Sequence, residues 1–209
     1  MTIRLAATED VLEPGRVLAL PPAARAIYVR RGTVDVDGLG SIGADECRLQ
    51  VGPATLRGAA EIWGFEIASD WDAADRGRIV LAALLHRDPA APIVLRADRV
   101  DFPPGAVTPR HGHAGPGIRR LLHGRLSADI GEQVHRIDPG QAWFETGHDP
   151  VVGRSLAPDS AFVRGMALDP VLHGKPTFRA WDGAEAAKPR GVKPRLFFDE
   201  IVTLPGVRT

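Results

Sequence analysis

The sequence has a single cysteine, no excess of either charge and no long hydrophobic run. Because Cys47 is alone, the chain cannot form an internal disulfide or a thiolate-rich metal site, and it needs no oxidising compartment. Lys and Arg together number 26, as do Asp and Glu, so no global field attracts nucleic acid or an anionic membrane surface. The longest apolar run, residues 79–85, is too short to cross a bilayer, and the first residues contain no apolar segment of signal-peptide length. We therefore expect a cytoplasmic protein that binds neither nucleic acid nor membranes.

Long amphipathic helices are also scarce. The one segment of helical composition, residues 182–191, is interrupted by Pro189. The chain instead contains 23 glycines and 18 prolines, which separate short apolar runs at intervals of about 8–12 residues, as in β-sandwiches and barrels. A hydrophobic content of 44% over 209 residues suffices for a core in one large domain or two small ones. The sequence therefore predicts an all-β protein.

Two segments of similar pattern indicate an internal repeat. When residues 26–38 are aligned with residues 118–130, Gly32 matches Gly124, and each glycine separates two apolar, strand-like runs. On spacing alone, a duplicated fold and two unrelated hairpins are equal alternatives. Residues 173–209 lie outside both copies, and the alternating segment "KPRLFFDEIVTLP" within them predicts a strand that returns to pack on the body of the protein.

Two histidines one residue apart are the first candidate site. In a strand, His111 and His113 project from the same face with Cα atoms about 6.6 Å apart, so both imidazoles can reach one ion. Imidazole is a suitable ligand for zinc, copper, iron and nickel. The alternative is a pair of polar residues at a strand end.

The surrounding sequence resembles the first motif of the cupin superfamily. In that motif a glycine is followed after five residues by His-x-His, then by a glutamate after three or four residues and by a second glycine after six more. Here "DFPPGAVTPRHGHAGPGIRRLLHGRL" places Gly105, His111, His113 and Gly124 at these spacings. The ligand glutamate of the family falls on Gly117, which has no side chain to offer.

The second cupin motif is matched in "IDPGQAWFETGHDPVVGRSLAPDSAFV". The family's last histidine ligand falls on Val151 and its asparagine on Ser155. A third protein ligand is needed for tight binding of a metal. His148, in the preceding turn, is our first candidate for it and Glu145 the second; otherwise both are surface turn residues.

The resemblance extends more faintly over residues 12–68 and implies a bicupin. We expect two cupin-like barrels of the double-stranded β-helix (jelly-roll) type: a degenerate one over residues 1–88 and a second over residues 89–172, with residues 173–209 as a tail that packs back on the barrels. Ala19 and Pro21 stand where the second copy has its two histidines, so the first barrel lacks this pair. Because cupins commonly pair, the resemblance also implies a homodimer.

Three residues are candidates for contact with a small molecule. If the position of Gly117 faces the barrel interior, Arg119 faces it too, and a buried guanidinium can bind a carboxylate or phosphate in two-point fashion. The alternative is a structural ion pair. Trp143 and Phe144 point to opposite sides of a strand, so one of them enters a pocket while the other packs outside.

These features lead to three functional hypotheses. The first is a metal-dependent enzyme, dioxygenase- or isomerase-like, in which His111 and His113 hold Fe, Mn, Ni or Zn and Arg119 holds a small, anionic organic acid. The second is a binding or sensing module without a catalytic metal, favoured by the residues at positions 117 and 151. The third is a structural or interaction protein. Fold alone does not decide among them.

Overall fold

The fold is made almost entirely of β-strands. The structure is a computed structural model that describes residues 2–69 and 78–205. These residues form three five-stranded sheets, one short helix α1 at Gly183–Ala186 and one 3-10 turn at Pro170–Leu172. Among them, no helix is long and apolar enough to pass through a membrane. The prediction of an all-β protein is confirmed.

The N-terminal barrel is a single curled sheet with the strand order β3-β2-β4-β1-β5. Its strands are β1 Ile3–Leu12, β2 Val17–Val36, β3 Gly40–Gly43, β4 Cys47–Ala68 and β5 Arg78–Leu85. The two long strands, β2 and β4, pair along most of their length and bend around a common core. At one bend Gly32 has a φ of +79°, and a Cβ there would lie 2.0 Å from the carbonyl oxygen of Ala59. Only glycine permits this close approach of the strands.

The C-terminal barrel consists of two facing sheets with the orders β10-β9-β12-β7-β14 and β11-β8-β13-β6-β15. The strands before the tail are β6 Ile93–Phe102, β7 His111–His113, β8 Gly117–His123, β9 Leu126–Ile130, β10 Gln133–Ile137, β11 Ala142–Glu145, β12 Val151–Ser155 and β13 Ser160–Leu168. Every residue of β13 is buried, because one face of this central strand lines the barrel and the other packs on the N-terminal barrel.

The tail adds one strand to each sheet of the C-terminal barrel. Strand β14, Phe178–Ala180, pairs with β7, and strand β15, Lys193–Val202, pairs with β6. The prediction of a returning strand near the end of the chain is therefore confirmed. The predicted helical segment shortens to the four residues of α1, whose first turn is capped by the side chain of Asp182.

The two barrels pack sheet against sheet over one continuous apolar core. Side chains from both barrels contribute to it, among them Phe65 of β4 and Val163 of β13. The guanidinium of Arg120 lies 3.9 Å from the ring centre of Trp63 and donates to Glu9 at 2.6 Å. The interface thus combines apolar packing with a buried ion pair and a cation–π contact.

Candidate functional site

The C-terminal barrel encloses a cavity of about 380 Å³ between its two sheets. Strand β7 presents His111 and His113 to it, and β8 presents Arg119. The apolar part of the wall is formed by Val100, Phe102, Leu126, Trp143, Val151 and Phe162. The tail forms the mouth, since exposed residues of its segments 174–176 and 190–196 line the outer end.

The two histidines lie edge to face. Their ring centres are 4.9 Å apart with an interplanar angle of 89°, and the ring of His111 stacks on Phe178 at 4.5 Å. The carbonyl oxygen of Pro109 lies 2.8 Å from Nδ1 of His111. Because a carbonyl oxygen only accepts, Nδ1 carries the proton and Nε2 keeps its lone pair. Nδ1 of His113 is buried and has no hydrogen-bond partner among the described residues.

Both imidazoles are neutral at pH 7. Burial lowers the pKa of His111, although the hydrogen bond to Pro109 partly opposes this shift. Burial also holds the pKa of His113 well below its usual range, and the positive charges of Arg119 and Arg164 lower it further. Neutral imidazole is the form that binds a metal or accepts a proton.

A carboxylate and a guanidinium meet beside His113. Oε2 of Glu145 lies 2.6 Å from Nη2 of Arg119 and 3.4 Å from Nε2 of His113. The other carboxylate oxygen accepts a hydrogen bond from the indole of Trp143 at 2.9 Å. Nη1 of Arg119 donates to the carbonyl oxygen of Gly117 at 2.6 Å. Although Nη2 of Arg119 and Oε2 of Glu145 are close, neither is aligned for a hydrogen bond with the described residues.

Burial shifts the pKa of Arg119 but does not remove its charge. Its side chain is 1% exposed, and burial lowers its pKa to about 10. The guanidinium therefore keeps its charge at pH 7. A buried charge of this kind is stabilised by a nearby carboxylate, which Glu145 provides.

At two positions the cupin pattern has a ligand and this chain has none, and each lies opposite a site residue on the adjacent strand. Val151 is the cross-strand partner of His111, and Gly117 is the partner of Glu145. A Cβ at position 117 would lie 2.9 Å from Cγ of Met166 and 3.4 Å from Nη1 of Arg119. The guanidinium therefore occupies space next to the missing side chain.

Two of the predicted site residues lie outside the cavity. His148 is exposed in the turn after β11 and does not line the cavity. Phe144 points to the other face of β11 and packs on the core between the barrels. The alternation of strand residues thus brings Trp143 into the cavity and takes Phe144 out of it.

The donors at the site do not form a complete metal site. In the described part of the chain, no group of three or more His, Cys, Asp or Glu side chains is positioned to hold a metal ion. His111 and His113 supply two nitrogen donors. The nearest third donor, Oε2 of Glu145, is in contact with Arg119. Since metal sites in proteins normally take three protein ligands, the present arrangement does not fit a tightly held ion.

The structure adds two buried ion pairs that sequence analysis missed. Arg164 binds Asp98 through two hydrogen bonds of 2.9 and 2.6 Å, and Arg96 binds Asp199 through bonds of 2.9 and 2.7 Å. All four residues line the cavity. Alternating charged positions in the otherwise apolar segment "IVLRADRVDF" were the one available signal, since Arg96 and Asp98 face inward from β6.

The mouth carries positive charge. Lys175 and Arg190 line it, and neither has a carboxylate partner within residues 2–69 and 78–205. The guanidinium of Arg190 also lies 4.2 Å from the ring centre of Phe178. The three arginines deeper in the cavity are each paired with a carboxylate, so the excess charge of the lining is positive.

Neither a protein-family model nor a curated protein matches the chain, but solved structures do. An oxalate decarboxylase variant from Bacillus subtilis matches with a TM-score of 0.65 and 11% identity, over 89% of this chain and 73% of that one. A salicylate 1,2-dioxygenase from Pseudaminobacter salicylatoxidans matches with a TM-score of 0.53 and 12% identity, over 92% and 74%. A cupin 2 conserved barrel domain protein from Leptotrichia buccalis matches with a TM-score of 0.50 and 10% identity, over 79% and 88%. The expected fold is therefore confirmed.

Proposed function

We propose that this chain, whose fold is that of the cupins, binds a small organic acid in the cavity of its C-terminal barrel. The observation that carries the proposal is the guanidinium of Arg119. It is buried in the cavity wall, where Nη1 donates to Gly117 and Nη2 makes no aligned hydrogen bond to the described residues. We expect a carboxylate that enters the cavity to accept a hydrogen bond from this guanidinium.

The rest of the cavity supports the same ligand class. Lys175 and Arg190 at the mouth attract an anion. The apolar wall, with Trp143 and Phe162 in contact at 5.2 Å between ring centres, suits a small hydrophobic body attached to the acid group. A volume of about 380 Å³ lies in the range of small-molecule sites. Two of the solved structures that match the chain bear the names of small organic acids, oxalate and salicylate.

A second proposal is that the chain is a metal-dependent cupin enzyme, dioxygenase- or isomerase-like, acting on that acid. It is favoured by the paired neutral imidazoles of His111 and His113, which could hold Fe, Mn, Ni or Zn. A tight site would require Glu145 to leave Arg119. Metal would supply Lewis-acid or redox chemistry there.

Binding of an acid is tested by a thermal-shift and calorimetry screen of small monocarboxylates against their methyl esters. We expect acids to raise the unfolding temperature of the wild-type protein and the uncharged esters to have no effect. Arg119→Met should weaken acid binding about 10- to 100-fold, because a charge-assisted hydrogen bond to a buried group contributes about 1.5–3 kcal/mol.

The control is Arg125→Met, which removes a surface arginine that pairs with Asp138. This variant should bind acids like the wild type. Because Arg119→Met leaves Glu145 buried without its partner, the double variant Arg119→Met/Glu145→Gln is measured beside it. Equal binding of acids and esters, or undiminished acid binding by both Arg119 variants, would contradict the proposal.

Elemental analysis of untagged protein separates the two proposals. Near-stoichiometric metal that disappears in His111→Ala/His113→Ala would support the metal-dependent enzyme. If protein grown in supplemented medium takes up no metal but binds acids, only the first proposal, acid binding, is supported.

A further inference from the structure

We infer that Arg119 withholds Glu145 from metal ions, so that the Arg119–Glu145 ion pair, rather than a divalent cation, completes the polar site of the C-terminal barrel. The inference rests on the proposed function, because it concerns the same guanidinium that is proposed to contact the acid. It agrees with the finding that the described residues contain no group of three donors positioned to hold a metal ion.

The distance between Glu145 and His113 is compatible with two ligands of one metal ion, but Glu145 is already in contact with Arg119. Ligands at about 2.0–2.2 Å from one ion lie about 3–3.5 Å apart when the angle at the ion is between 90° and 109°. Oε2 of Glu145 and Nε2 of His113 are 3.4 Å apart, within this range. The same oxygen lies 2.6 Å from Nη2 of Arg119. The oxygen that a metal would need is therefore already in contact with a cationic group.

Charge opposes a divalent ion at this place as long as Arg119 is present. The Arg119 side chain is 1% exposed, so its charge is poorly screened by water. Arg164, its cross-strand neighbour, adds a second buried guanidinium, which Asp98 neutralises. Removal of the Arg119 charge leaves the carboxylate of Glu145 as an unpaired anion beside two neutral imidazoles, which is a donor set suited to a divalent transition metal.

Gly117 is part of the same arrangement. A side chain there would begin with a Cβ at 3.4 Å from Nη1 of Arg119 and 3.0 Å from the carbonyl oxygen of Gly165. A Cβ would be in ordinary contact with the guanidinium, and a longer side chain would extend into the packed surroundings of Arg119 and Met166. With glycine at position 117 and arginine at position 119, the positive charge next to Glu145 is that of a side chain.

The test is a titration of untagged, metal-free protein with Co²⁺, followed by visible absorption, and with Zn²⁺, followed by calorimetry. We expect the wild type to bind weakly and Arg119→Met to bind one ion at least tenfold more tightly. In Arg119→Met/Glu145→Gln and in Arg119→Met/His111→Ala/His113→Ala this gain should disappear. Arg125→Met, the matched surface control, should bind like the wild type.

Each result has a definite meaning. Tight stoichiometric binding by the wild type, or a gain in Arg119→Met that survives Glu145→Gln, overturns the inference. If circular dichroism shows that Arg119→Met does not fold, Arg119→Gln, which keeps a hydrogen-bond donor without the charge, takes its place with the same expected gain. A folded, charge-free variant without tighter binding also overturns it.

The acid screen keeps this result separate from the proposed function. If the wild type binds acids but Arg119→Met gains no metal affinity, the inference alone fails. If Arg119→Met gains metal affinity but the wild type binds no acid, the proposed function alone fails.

Discussion

At the scale of single residues, the site could be predicted where its geometry follows from local spacing. His111 and His113 share a strand face because they are two residues apart, and Arg119 faces the cavity because it lies two residues after Gly117. The pair of Arg164 and Asp98 could not be predicted, because these residues are 66 positions apart in the sequence and meet only through pairing of β13 with β6. Local patterns do not encode such partners.

Gly117 offers a prediction at this scale. We expect Gly117→Ala to lower the free energy of unfolding by about 1–3 kcal/mol, because its Cβ would lie 2.9 Å from Cγ of Met166 in a packed wall. Acid binding should change little, because the added Cβ would be in ordinary van der Waals contact, at 3.4 Å, with Nη1 of Arg119. Chemical denaturation and calorimetry measure the two effects. The matched control is Gly183→Ala, where a Cβ meets open space; equal stability of Gly117→Ala and the wild type would show that the wall adapts.

At the scale of strands and helices, the periodicity of apolar residues predicted where a strand lies better than which strand it pairs with. The alternation near the end of the chain predicts a strand, and the structure has β15 there. That β15 extends the sheet of β6 depends on chain topology, which the alternation does not contain. Residues 182–191 illustrate the opposite case: composition favours a helix, but the helix ends after one turn, three residues before Pro189, which cannot continue it.

Removal of β15 tests its role as the edge of the sheet. A chain that ends at residue 192 should expose the backbone donors and acceptors of β6, and we expect it to self-associate or precipitate. It should also lose the packing of Phe197 on Tyr28, whose ring centres are 5.9 Å apart. A chain that ends at residue 205 keeps β15 and serves as the control. Light scattering after size-exclusion chromatography distinguishes them, and a monomeric, fully stable shorter chain would contradict this role.

At the scale of the whole molecule, the two barrels share a local feature that the sequence repeat indicated. Gly32 and Gly124, matched in the alignment, both have a φ of +79°. A Cβ would lie 2.0 Å from the carbonyl oxygen of Ala59 in the first case and 2.2 Å from that of Asp159 in the second. The same close approach of two backbone segments thus recurs in both halves. How the halves pack could not be predicted, because the interface depends on surfaces formed only after each barrel closes.

Asp45 joins the barrels electrostatically, and its titration gives a prediction for the stability of the whole chain. The carboxylate accepts hydrogen bonds from Tyr28 of its own barrel at 2.9 Å, from Arg99 of β6 at 2.9 Å and from Arg195 of β15 at 2.7 Å. Partial burial alone would raise the pKa of Asp45, but the bonds from Arg99 and Arg195 outweigh it and hold the pKa below its usual value.

Because the pKa of Asp45 is lower in the folded protein than the value of about 3.9 in the unfolded chain, its contribution to stability is present above about pH 4 and is lost as the pH falls through the folded pKa. We expect Asp45→Asn to cost about 1 kcal/mol at pH 7, as partly exposed ion pairs contribute up to about that amount. The difference from the wild type should shrink towards pH 3. Asp138→Asn, which removes an exposed pair in one barrel, is the control, and thermal unfolding between pH 3 and pH 7 is the measurement. A wild-type advantage that is constant over this range would mean that Asp45 acts through the shape of its turn, where its φ is +62°, rather than through its charge.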